Sequence, residues 1–177
     1  MNRRKSANSA RTVALSAVLT AVSLVFLYIA TLAPSGRMGL TAVAGLFPAA
    51  AVVSCGLPAG FLCYGGTAIL SFLLLTDKGL ALLYLVFFGL YPMVKGLIEH
   101  LRRLPLELVL KLVFFNAVLS LVLIGFSSLL FSLVPWEDLP LGLLYAAGNV
   151  VFLIYDLGFS KVIGFYAHRV DRVLRKS

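Results

Sequence analysis

The residues best placed to do chemistry are few, and they stand in apolar surroundings. Asp156 interrupts an apolar run in the C-terminal third of the chain. A carboxylate in hydrocarbon costs several kcal/mol unless it meets a cation. Lys111, in the preceding apolar run, falls at a comparable depth, with Lys95 and Lys161 as alternatives. The sequence therefore predicts an intramembrane ion pair between Asp156 and Lys111. Two uses are open for it: fastening helices together, or gating and proton movement. Asn116 and Asn149 occupy the middle of the same two runs. At about 1.5 Å of rise per residue, Asn116 lies roughly 16 Å from the inner boundary, and Asn149 lies at a similar depth. Two roles follow for them. The amides either join two helices, or face a cavity and hold a polar small molecule. Arg37, Tyr84, Trp136 and Tyr145 complete the candidate binding residues. The aromatic members fit either the wall of an outward pocket or anchoring at the membrane interface, with anchoring the default for Trp136.

Other reactive types point away from catalysis. His100 and His168 fall at the inner margin of apolar runs, where a histidine serves as a headgroup-level residue. Cys55 and Cys63 read as small core residues, because no cluster of histidines or further cysteines accompanies them as metal ligands would. The sequence contains no Gly-x-Ser-x-Gly, no His-Glu-x-x-His, no Walker A loop and no pair of embedded acids suited to proteolysis. The expectation is a protein that is not an enzyme and uses no cofactor or metal. Without an ATP-binding loop, any active transport requires partner ATPases.

Composition defines the medium that holds these residues. Of 177 residues, 61% are hydrophobic and 12% charged, against roughly 25% charged in soluble domains. Mean hydropathy is +1.03, which marks an integral membrane protein with the lipid bilayer as its first partner. The net charge of +8 does not indicate nucleic acid, because the cations flank apolar runs instead of forming a patch interleaved with aromatics.

Six helices are expected to position the candidates. Between Arg11 and Arg37 there is no charge, and the interval is long enough to cross a bilayer core of roughly 30 Å. This first helix exceeds a signal peptide's apolar region and is read as retained. The uncharged stretch from Met38 to Thr76 is about twice the length of one span, so it must turn back. Gly56 to Gly60 supply the turn. Helix two is placed near Leu40 to Ser54, with a disturbance from Pro48, and helix three near Pro58 to Leu75. Helix four follows from Leu80 to Leu101, kinked near Pro92. Helix five opens at Pro105, runs to about Leu133, and spaces Glu107 and Lys111 for an i, i+4 pair. Helix six runs from about Leu141 into the tail.

The fold class is thus all-α and polytopic, with six transmembrane helices. It divides into a basic N-terminus over residues 1–11, a transmembrane domain over 12–168 and a basic tail over 169–177. All of the 15 Lys and Arg except Arg37 and Lys78 fall on the side that holds both termini. The positive-inside rule makes that side cytoplasmic, in a multi-pass protein of the cell membrane.

The first helix carries a further pattern. Ala10, Ala14, Ala17 and Ala21 follow steps of four, three and four, which puts them on one helix face. Such a smooth face lets another backbone approach closely, either from this chain or from another membrane subunit.

The basic N-terminus, this alanine face, the Leu46-Phe47-Pro48 segment, the Gly56-Leu57-Pro58-Ala59-Gly60 turn and six short spans together resemble the substrate-binding S component of energy-coupling factor (ECF) transporters. The resemblance implies an S-component-like bundle that captures a vitamin or related small solute from outside. It also implies association with a transmembrane coupling subunit and two cytoplasmic ATPases. Ala17 and Ala21, extended by Ala14, match the family's Ala-x-x-x-Ala contact with the coupling subunit. Two other classes compete. One is a non-transporting scaffold or assembly factor of the cell-shape or cell-wall type, using the same face; the other is a flippase or ion-conducting protein using Asp156.

Overall fold

The computed structural model describes residues 2–101, 103–126 and 140–174. The described chain is all-α, and six of its helical segments are long and apolar enough to cross a membrane. They span Ser9–Leu32, Arg37–Cys55, Leu57–Leu74, Lys78–Glu99, Leu104–Gly125 and Leu141–Arg169. The chain forms two compact units, one of residues 1–93 with 163–177 and one of residues 94–162.

In the first unit, α1 (Asn2–Leu32) packs against α2 (Arg37–Ala44), α3 (Leu46–Cys55) and α4 (Leu57–Leu74). Its inward face is Ser16, Thr20, Ser23, Leu27 and Ala30, all buried and spaced by alternating steps of four and three. The hydroxyls on this face do the fastening. Ser16 Oγ donates to the Ala59 carbonyl at 3.2 Å and Thr20 Oγ1 to the Cys63 carbonyl at 3.3 Å. One helical turn separates the two acceptors on α4, as it separates the two donors on α1. Helices α3 and α4 close on Ala51, Ala59 and Cys63, with the turn made at Gly56, where φ is +87°. The pairing is tight enough that a Cβ at Gly60 would sit 2.3 Å from Val52 Cγ2. The end of α3 is also held by the C-terminal part of α8 (Leu141–Leu174), through Ser54 Oγ and Tyr166 OH at 2.9 Å.

The second span departs from the expected single helix. It begins at Arg37, after Gly36 in a left-handed conformation, and divides at Gly45. Pro48 explains the division one turn upstream. It has no N–H to give the Ala44 carbonyl, and Ser23 Oγ donates to that carbonyl instead at 2.9 Å. The fourth span repeats the device. It starts at Lys78, two residues before the expected position, because Asp77 caps α5 (Lys78–Leu83) by accepting from Gly79 N at 2.9 Å and Leu80 N at 3.1 Å. It then passes through a π turn, Tyr84–Phe88, before α6 (Tyr91–Glu99). Pro92 cannot supply the N–H that the Phe88 carbonyl would take in a regular helix. That carbonyl lies against Gly45, where a Cβ would meet it at 2.4 Å.

The second unit contains all of α7 (Leu104–Gly125), the end of α6 and the greater part of α8. Pro105 occupies the first turn of α7, but the helix ends at Gly125 and Phe126 leaves helical geometry. The remaining residues to Leu133, and the acidic loop with Trp136, lie outside the described residues. Helices α7 and α8 run antiparallel. The Phe115 and Phe152 rings stack between them with centroids 4.7 Å apart, and a Cβ at Gly148 would already touch Phe115 at 3.3 Å.

Candidate functional site: a closed ring of charges, a polar ladder and an open alanine groove

At the cation-rich end of the second unit, four ionised side chains from three helices close into a ring. Asp156 on α8 offers one oxygen to each of two lysines, pairing Oδ1 with Lys95 of α6 and Oδ2 with Lys111 of α7 at 3.1 Å. Glu99, one turn after Lys95, completes the circuit. Its Oε1 takes Lys95 Nζ at 2.7 Å and Lys111 Nζ at 2.8 Å. Charges alternate around the ring, so each ammonium has a carboxylate on both sides and the four sum to zero. Lys95, Lys111 and Asp156 are buried, whereas the Glu99 side chain is 43% exposed. Among the described residues Lys111 forms no ion pair with Glu107, its i, i+4 neighbour; Asp156 and Glu99 offer it two carboxylates at once. Lys161 is exposed and takes no part in the ring.

Moving toward mid-membrane along the same two helices, the polar contacts form rungs. Asn116 Nδ2 donates to Asn149 Oδ1 at 2.9 Å, and Asn149 Nδ2 returns the bond to Asn116 Oδ1 at 3.1 Å. Each amide spends its second hydrogen on its own helix, Asn116 on the Leu112 carbonyl and Asn149 on the Tyr145 carbonyl, both at 2.8 Å. All four amide hydrogens are therefore engaged within the protein. One turn further, Ser120 Oγ and Tyr145 OH lie 2.7 Å apart.

The remaining candidates separate. In the first unit, Arg37 pairs with Asp77 and donates through Nε to the Ala30 carbonyl at 3.3 Å, which ties the second and fourth spans to the end of α1. Tyr84 is fully buried in the π turn, where its hydroxyl lies 3.4 Å from Ser23 Oγ and its ring stacks near Tyr64. This placement makes Tyr84 a core residue and not the wall of an open pocket. Trp136 lies outside the described residues. His100 and His168 are exposed, both cysteines are free, and no group of metal-ligating side chains forms among the described residues.

The alanine face of α1 is the opposite case. Ala14, Ala17 and Ala21 are all exposed. Ser16, Thr20 and Ser23 take the inward face, so the alanines are left beside it. Ala17, Ala21 and Leu24 of α1 line a groove of about 410 Å³ with Leu62, Gly66 and Leu70 of α4. Ser16 and Thr20 also line it, but their hydroxyls are committed to α4.

Two features of these sites carry little sequence signal. Glu99 sits at the last turn of its span, where a carboxylate reads as interfacial. The Ser16, Thr20 and Ser23 stripe has the same four-three spacing as the alanines and was the available clue. Comparison with family models, with characterised proteins and with solved structures returns no match.

Proposed function

We propose that the chain is a membrane-embedded subunit that docks through the α1 groove onto a second membrane protein. In this reading it serves as the substrate-capture subunit of an ECF-type transporter for a vitamin-like or other small solute. A transmembrane coupling subunit and two ATPases would supply the energy. The cation-rich ends of the spans would face the cytoplasm, in keeping with the positive-inside rule. The observation that carries the reading is the exposure of Ala17 and Ala21 in a groove whose polar groups are already satisfied. A smooth apolar surface of this kind gains most by admitting another helix at close range.

The test is Ala17→Leu with Ala21→Leu, which fills the groove without touching the hydroxyl face. The double variant should lose capture of an ATPase-linked coupling subunit from solubilised membranes, and recovery of the same partner by the variant would refute the docking role.

A second reading, the non-transporting scaffold, is favoured by the engagement of Asn116, Asn149, Tyr145, Arg37 and Tyr84 with partners inside the protein. Thermal unfolding against a panel of vitamin-like compounds separates the two. A capture subunit rises in midpoint with its ligand by mass action, and a scaffold rises with none.

A further inference from the structure

We propose that Lys95 and Lys111 form a binding site for an anionic oxygen group of the phosphate class, and that the Glu99 carboxylate is its displaceable internal occupant. The inference does not depend on the transport or the scaffold reading.

The charge distribution is the first ground. Lys95 and Lys111 are 5% and 7% exposed, and among the described residues the only buried carboxylate is Asp156, at 9%. These three carry a net charge of +1, and a buried charge left uncompensated is strongly destabilising. The compensation comes from Glu99, the one member of the ring that reaches solvent. The two carboxylates are also used differently. Asp156 divides its oxygens between the lysines, while Glu99 gives a single oxygen to both. The second oxygen of Glu99 pairs with neither lysine and its side chain already reaches water, so an incoming anion that takes over both ammoniums restores the neutrality that the departure of Glu99 would remove.

The mouth of the site is the second ground. Gly96, three residues before Glu99 and on the same side of the helix, leaves open space, since a Cβ there would meet nothing within 4 Å. His100 and Arg103, which follow Glu99 in the chain, are exposed as well. Two ammoniums converging on one point suit a phosphate oxygen, since lysine binds phosphate as a compact point charge.

Glu99→Gln removes the internal occupant and keeps the side-chain shape. The full-length variant and its parent are placed in nanodiscs of phosphatidylcholine alone, of phosphatidylcholine with a minor fraction of phosphatidylglycerol, and of phosphatidylcholine with added inorganic phosphate. Thermal midpoint and retained phosphatidylglycerol, counted by native mass spectrometry, are the readouts. Retention by the variant should rise about tenfold or more over the parent, the worth of one charge-assisted hydrogen bond. Adding Lys111→Gln should remove the gain. A midpoint gain with phosphatidylglycerol alone identifies a lipid headgroup, and an equal gain with inorganic phosphate identifies the free anion. If Glu99→Gln does not fold in phosphatidylcholine, its recovery by either anion supports the site. Failure to recover, or a folded variant that gains no more than the parent from either anion, overturns it.

Discussion

Removing the deeper carboxylate of the charge ring measures what the ring contributes. In Asp156→Asn the two lysines keep only Glu99 Oε1, at 2.7 and 2.8 Å, and the cluster changes from neutral to +1. Breaking a buried pair by deleting one partner costs about 3–5 kcal/mol. Glu99 still neutralises one of the two ammoniums, so the expected loss is about 3 kcal/mol, at the low end of that range. At about 1.4 kcal/mol per tenfold, this lowers the folding equilibrium constant roughly a hundredfold. Asp156→Asn combined with Lys111→Gln restores neutrality, with Lys95 facing Glu99, and should recover about half of the loss. Reversible unfolding in mixed micelles, run as a double-mutant cycle, reads both numbers. Burial adds a second signature, since the loss should hardly change with salt, whereas an exposed pair is screened. A single variant that costs less than about 1 kcal/mol, as loss of an exposed pair would, refutes a stabilising role for the ring. Equally, a double variant as unstable as the sum of its singles would show that the charges do not act as a ring.

Three further outcomes follow from other contacts. Gly45→Ala puts a methyl 2.4 Å from the Phe88 carbonyl oxygen and should cost about 1–3 kcal/mol, while Gly39→Ala, with nothing within 4 Å, should be close to neutral in the same unfolding assay. Asn116→Ala breaks a reciprocal pair and should cost about 1 kcal/mol, and adding Asn149→Ala should cost little more, because the pair is already gone. Ala17→Leu with Ala21→Leu should leave the stability of the isolated chain within about 0.5 kcal/mol, since both alanines are exposed; a larger loss would mean that the chain's own packing uses them.

Much of the fold could be read from where charge is absent, since length and hydropathy alone mark six spans. Counting rise per residue puts Lys111 and Asp156 at one depth, and they lie 3.1 Å apart. The same count cannot say that Lys95 and Glu99 join them, because it gives depth and not direction around a helix. Pro48 and Pro92 announce disturbances, yet the structural consequences fall a turn earlier, at Gly45 and in the Tyr84–Phe88 π turn. Proline acts through the carbonyl four residues before it, and what that carbonyl meets depends on a distant partner: Ser23 in one case, Gly45 in the other. Ser16, Thr20 and Ser23 were hard to weigh for a related reason. Hydroxyls in an apolar helix often bond their own backbone, so the sequence does not reveal that Ser16 and Thr20 reach across to α4.

The rungs between α7 and α8 have a consequence for how the chain assembles. Two greasy cylinders side by side in lipid have no strong preference for one vertical offset over another, because every leucine finds equally good company wherever it slides. Ser120 with Tyr145, Asn116 with Asn149 and Lys111 with Asp156 remove that freedom. A slip of a single turn would mismatch all three teeth together, stranding amides and an ammonium in hydrocarbon. The ladder thus works as an alignment code, written in a few polar letters on an otherwise featureless surface.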